Sequence, residues 1–170
     1  TLPVGGDVVP IPVAERIRVG VERRLRALAP HQRWAVLLAA TAGSRSATTL
    51  LEAALSADGL SLTELAGAER EGLLRVHPGT VEFEHPLSRS AVYASSELDE
   101  RRRAHRLIAS VSGEGSAERA WHLAAAAVGP DETAADALEL VGNDALTRGA
   151  PSTALRAFER AASLTRDTEP

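Results

Sequence analysis

The chain has 170 residues, 44% of them hydrophobic but only 3% aromatic, and a formal net charge of −4. That is enough apolar material for one domain or two small ones, with Ala and Leu doing the packing, which favours helices over sheets. The lack of Cys excludes disulfides, thiolate metal sites and Cys nucleophiles, and the acidic balance argues against a domain that neutralises the phosphates of a duplex.

Thr1–Pro12 holds three prolines and the pair Gly5-Gly6 and is expected to be a linker. A first helix follows, with Val13, Ile17, Val21, Leu25 and Leu28 on one stripe and Arg16, Arg23, Arg24 and Arg26 largely off it. Pro30 suits the first turn of a second helix, whose inner face carries Trp34, Leu37, Leu38 and Thr41 and which Gly43 stops. A third runs from about Ala47 to Ala57, with Leu50, Leu51, Ala54 and Leu55 inward, and Asp58-Gly59 ends it.

Ser61-Leu62-Thr63-Glu64 has the form of a capping box, with Leu60 and Leu65 as a hydrophobic staple, and predicts a helix to Gly72. The period then changes: Leu74 and Val76, the turn Pro78-Gly79, then Val81 and Phe83 predict a two-stranded hairpin. Pro86 opens a helix through Leu87, Ala91 and Val92, and Ser96 opens another through Ala104, Leu107, Ile108 and Val111. A further helix is expected to carry Trp121, Ala124, Ala125 and Val128. Leu138, Val141, Gly142, Ala145, Ala154 and Phe158 then follow a tetratricopeptide-like spacing, with Leu138 and Ala145 where that pattern has Trp and Tyr.

No apolar run approaches the ~20 residues that span a bilayer, and the first residues lack the basic start and apolar core of a signal peptide. A cytoplasmic protein with no membrane contact is expected. All 19 basic residues are Arg. There is no Met, so the chain is expected to be an internal piece of a longer protein.

Chemistry is sparse. A phosphate-binding loop of the form G-x-x-x-x-G-K-(S/T) needs a Lys, and there is none; the hydrolase elbow G-x-S-x-G is also missing. His31, His77, His85, His105 and His122 show no metal-ligand spacing, so no metal and no catalytic residue is assigned. The helix that would read DNA, Ser61–Arg75, sets Glu64, Glu69 and Glu71 against Arg70 and Arg75, which favours protein packing over a major groove. Arg101, Arg102, Arg103 and Arg106 form the one dense basic cluster, read as a solvated helix face with Glu97, Asp99 and Glu100 at its N-terminus.

The stretch F-E-H-P-L-S-R-S-A-V-Y from Phe83 to Tyr93, followed by R-R-R-A-H-R-L from Arg101 to Leu107, resembles the segment F-x-H-P-L-x-x-x-A-V-Y…R-R-x-x-H-x-x-L of the large ATP-binding LuxR-type regulators, members of the STAND class of signal-transduction ATPases. Val13 to Ala42, and Glu118 to Ala126 with Gly129-Pro130-Asp131 after it, are similar to the same family's helices. The resemblance covers nearly the whole chain, and the HPL…AVY block is its most specific part.

The resemblance implies a mainly α fold: a winged helix-turn-helix with a short β-hairpin over 13–95, followed by tetratricopeptide-like helical hairpins over 96–170. It implies an ATPase domain upstream of Thr1, a DNA-binding domain beyond Pro170, and a non-catalytic role for the residues between. Those residues would link the nucleotide state of the ATPase domain to a helical array that binds an effector or protein partner. No cofactor is expected in this segment, but ATP or ADP is expected in the longer protein. By its position in the HPL block, His85 would be the sensor of an ADP phosphate; its bland alternative is a cap for the helix opened by Pro86. Two other readings stay open: a winged helix that binds DNA itself, and a helical adaptor with no ATPase attached.

Overall fold

A computed structural model describes the backbone of residues 11–165 and the side chains of residues 16–165. Among the described residues there are nine helices and three strands. Thr1–Pro10, most of the expected linker, and 166–170, the end of the expected repeat region, lie outside them.

α1 (Ile11–Arg26) lays Ile17, Val21 and Leu25 on the core; Val13 lies outside the described side chains. α2 (Pro30–Ala42) is its central rod. Every residue from Ala35 to Thr41 is buried, as expected of a helix apolar on all sides. Pro30 fills the first turn, and Gln32 Oε1 accepts from the Ala29 N–H at 3.1 Å. Gly43 ends α2 at φ 151°, a backbone state that side chains disfavour.

The sheet has one strand more than the sequence predicts. β1 (Arg45–Ala47) pairs antiparallel with β3 (Thr80–Phe83), which pairs with β2 (Leu74–His77), in the order β1-β3-β2. Ser46 faces Val81, and Leu74 faces Phe83. Three residues are too few to display a period of two, and β1 exists because β3 offers a free edge to it. α3 (Thr48–Ala57) therefore starts only after this strand, with Leu51, Ala54 and Leu55 buried.

The capping box at Ser61 does not form, and neither does the continuous helix to Gly72. The Ser61 hydroxyl pairs with Thr63 Oγ1 at 2.6 Å, and the Glu64 carboxylate turns to His31 Nε2 at 3.2 Å. A 3-10 turn (Leu62–Leu65) leads instead into α4 (Ala66–Arg70), only five residues long. Leu60 and Leu65 still reach the core. Gly67 explains the tight seating: a Cβ there would lie 2.9 Å from Gln32 Oε1.

α5 (Pro86–Ser95) follows β3, and α6 (Leu98–Val111) has its N-cap one residue later than Ser96 implies, at Glu97, whose N–H donates to Glu100 Oε2 at 3.1 Å. Ala104 and Ile108 of α6 belong to the same core as α1 to α5.

α7 (Ala117–Ala126) stops short of Val128, which is 70% exposed rather than on its inner face. α8 (Glu132–Thr147), capped by Asp131 Oδ1 on the Ala134 N–H at 3.1 Å, packs antiparallel on α9 (Pro151–Ala162). Leu138, Val141, Ala145, Ala154 and Ala157 are buried between these two helices and α7. The Phe158 ring occupies the place of a missing side chain: a Cβ at Gly142 would be 2.5 Å from its Cε1.

Candidate functional site

His85 sits where β3 gives way to α5. Phe83 is buried at the strand end, the Glu84 N–H donates to Leu73 O at 3.2 Å, and the Glu84 carboxylate pairs with Arg75. This fixes the chain just before Pro86. His85 is the N-cap of α5: its Nδ1 accepts from the Leu87 N–H at 3.0 Å. An imidazole that accepts at Nδ1 carries its hydrogen on Nε2. The cap therefore selects the tautomer with its hydrogen on Nε2, and His85 is an exposed residue.

His85 borders a cleft of about 430 Å³ between α1 and the start of α5, lined by Arg16, Ile17, Gly20, Val21 and Arg24 with His85 and Ser88. Arg24 is held in place by the carbonyl of Gly72, to which its guanidinium donates at 3.2 Å. Arg16 is exposed on the rim. A Cβ at Gly20 would meet nothing within 4 Å, so this wall of the cleft is open. Two guanidiniums and an imidazole supply donors and positive charge, and no lining residue is acidic. Such a set fits a phosphate or carboxylate group.

The chain matches no family model, and no curated protein or solved structure is similar to it at a significant level.

A second concavity of about 550 Å³ lies on α7 and α9, lined by Trp121, Ala124, Ala125, Arg156, Glu159, Arg160 and Ser163. Arg156 lies 5.7 Å from the Trp121 ring centre, and Arg160 donates to Ala124 O at 2.7 Å.

The arginine cluster of α6 is not one solvated face. Arg103 lies over the Trp34 ring at 4.4 Å and donates to Asp58 Oδ2 at 2.7 Å, and the same oxygen accepts from Trp34 Nε1 at 2.8 Å. It therefore fastens α6 to α2 and the end of α3. Arg101 stacks on Tyr93 at 5.3 Å. Arg102 pairs with Asp99 at 3.6 Å, and Arg106 is exposed.

Two histidines that share no ligand spacing in sequence meet in space. Nδ1 of His105 on α6 and Nδ1 of His122 on α7 are 2.7 Å apart, and Tyr93 Oη lies 2.8 Å from His105 Nε2. Among the described residues no group of three or more His, Cys, Asp or Glu could hold a metal ion.

Proposed function

We propose that this chain is the coupling segment of an ATP-dependent LuxR-type transcriptional regulator. It would carry the nucleotide state of an upstream ATPase domain to a helical array, without doing chemistry of its own. Residues 13–95 are read as a winged helix and 96–170 as the start of tetratricopeptide-like hairpins. The order helix, strand, helix, short helix, hairpin, with sheet order β1-β3-β2, supports the first reading. The Gly142–Phe158 fit between α8 and α9 supports the second.

The observation that carries the proposal is the exposed His85, accepting at Nδ1 and lining one cleft with Arg16 and Arg24 and no acidic residue. These three residues would hold phosphate oxygens of ADP. The nucleotide supplies the anionic charge, and His85 supplies a donor whose tautomer the fold has already chosen. A contact made in one nucleotide state and not the other shifts a two-state equilibrium by its differential free energy. The groove over Trp121 is the surface for an effector or protein partner. DNA would be bound through a domain outside these residues: α4 has five residues, and Glu69 within it and Glu64 and Glu71 beside it repel phosphates. The reading places the protein in the cytoplasm. Among the described residues, no helix is long and apolar enough to cross a membrane.

Two measurements test this. The parent protein, with its natural upstream sequence, is purified and its nucleotide content is measured. The 170-residue chain is titrated against a DNA duplex in a mobility shift. Bound nucleotide in the parent and no salt-dependent shift by the chain are expected. A parent free of nucleotide sinks the reading in favour of an adaptor, and a specific shift sinks it in favour of a DNA-binding winged helix.

A further inference from the structure

We propose that Tyr93, His105 and His122 form an acid-sensitive latch that holds α7, and the helical array behind it, against α5 and α6. Three helices contribute one side chain each to a single hydrogen-bond chain. Tyr93 Oη and His105 Nε2 are 2.8 Å apart, and His105 Nδ1 and His122 Nδ1 are 2.7 Å apart. The two imidazole centres lie 5.0 Å apart at an angle of 43°, and the Tyr93 ring meets His105 edge-on at 5.8 Å. His122 is only 9% exposed, although α7 is otherwise buried through alanines. Beside this chain the α6–α7 junction is tied by the Arg119 guanidinium, which donates to Ala109 O at 2.7 Å.

Two Nδ1 atoms at this distance share one hydrogen: one ring donates and the other must accept. The first extra proton on the pair settles on an Nε2 and leaves the bridge intact. The second places two Nδ1–H donors face to face and breaks it. The surroundings resist both protons. Burial, then His122, Arg89 on α5 and Arg101 on α6 push His105 down to about 4, and burial lowers His122. Both cations are held in place, Arg89 by Ala40 O at 2.8 Å and Arg101 by the Tyr93 ring. α2 and α3 meet α6 on its other side, where Asp58 engages Arg103. Among the described residues no carboxylate, of α8 or elsewhere, forms an ion pair with either imidazole.

The sign follows. With the latch closed both imidazoles resist protonation, and with it open they return to the ordinary value near 6.5, so the open form binds more protons between the two values. Closure is fully favoured above about pH 6.5 and is lost progressively as the pH falls toward 4. The array is therefore released by acid and seated at neutral pH.

The test uses the 170-residue chain, its His122→Gln variant, whose amide keeps a polar partner without titrating in this range, and Tyr93→Phe. Histidine ring resonances and Tm are followed from pH 7.5 to 4.5. In the parent chain His105 stays neutral to below pH 5, and Tm falls between pH 7 and 5 by about 3 °C more than in His122→Gln. Trp121 emission changes before far-UV circular dichroism does. Tyr93→Phe removes one end of the hydrogen-bond chain and lowers Tm at pH 7.5 by more than at pH 4.5. A His105 midpoint near 6.5 in the parent chain overturns the proposal whether or not the variants fold, as do equal Tm slopes in parent and His122→Gln.

Discussion

The two buried clusters of this molecule are built on different principles. The first, from Val21 to Ile108, contains seven alanines among twenty-one buried residues and fills its interior with Leu38, Leu51, Leu55, Leu65, Leu73 and Leu74 around a small sheet. The second, from Ala120 to Leu164, contains six alanines among nine. Large side chains hold elements apart and bury much area per residue. Alanines bury little, and their contribution depends on helices coming close together. The first region is therefore expected to be robust to added atoms and sensitive to lost ones, and the second the reverse. Because the second buries less per residue, it is also the part that opens first.

Mutations can break or sharpen that contrast. Leu38→Ala deletes a fully buried side chain of α2 and is expected to cost about 3 kcal/mol in urea unfolding; a loss under about 1 kcal/mol would mean that the first core collapses onto the gap. Gly142→Ala should cost about 1–2 kcal/mol. In an open helix the same change would stabilise by up to about 1 kcal/mol, but here the new Cβ meets Phe158 at 2.5 Å. Hydrogen exchange should show the damage confined to α8 and α9, and exchange rising equally in α2 would refute the separation. Removing the N-cap of α8 with Asp131→Ala is expected to cost about 1 kcal/mol, again read as faster exchange in α8. The smallest effect belongs to Asp58→Asn, about 0.5 kcal/mol, because the amide oxygen can still accept from Trp34 while the half-exposed pairing with Arg103 weakens; a change in Trp34 emission with little change in Tm would be its signature.

The periodicity of most of the helices and the turn at Pro78-Gly79 were legible in the sequence, because each rests on local spacing. What was not legible came from partners distant in sequence. β1 needs the edge of β3, 33 to 37 positions away. The capping box at Ser61 failed because Glu64 found His31, and α4 is shortened where Gly67 lies on Gln32. The role of His85 as a cap could be read from His-Pro at a helix start, but the arginines beside it could not, since α1 reaches it only through folding. The pairing of His105 with His122 has no signature beyond two histidines on helices joined by a glycine-containing loop.

The central claim is that His85 presents a donor to a nucleotide phosphate, and ADP retention by the parent protein tests it most directly. The amount of ADP surviving purification and gel filtration is compared in the parent, His85→Ala and Arg16→Ala, with folding of each checked by circular dichroism. A fall of about tenfold or more in His85→Ala, near the ~1.5–3 kcal/mol of a hydrogen bond to a charged group, and a smaller fall in Arg16→Ala are predicted. Equal retention in all three, with the fold intact, would reduce His85 to the cap of α5 and contradict the account.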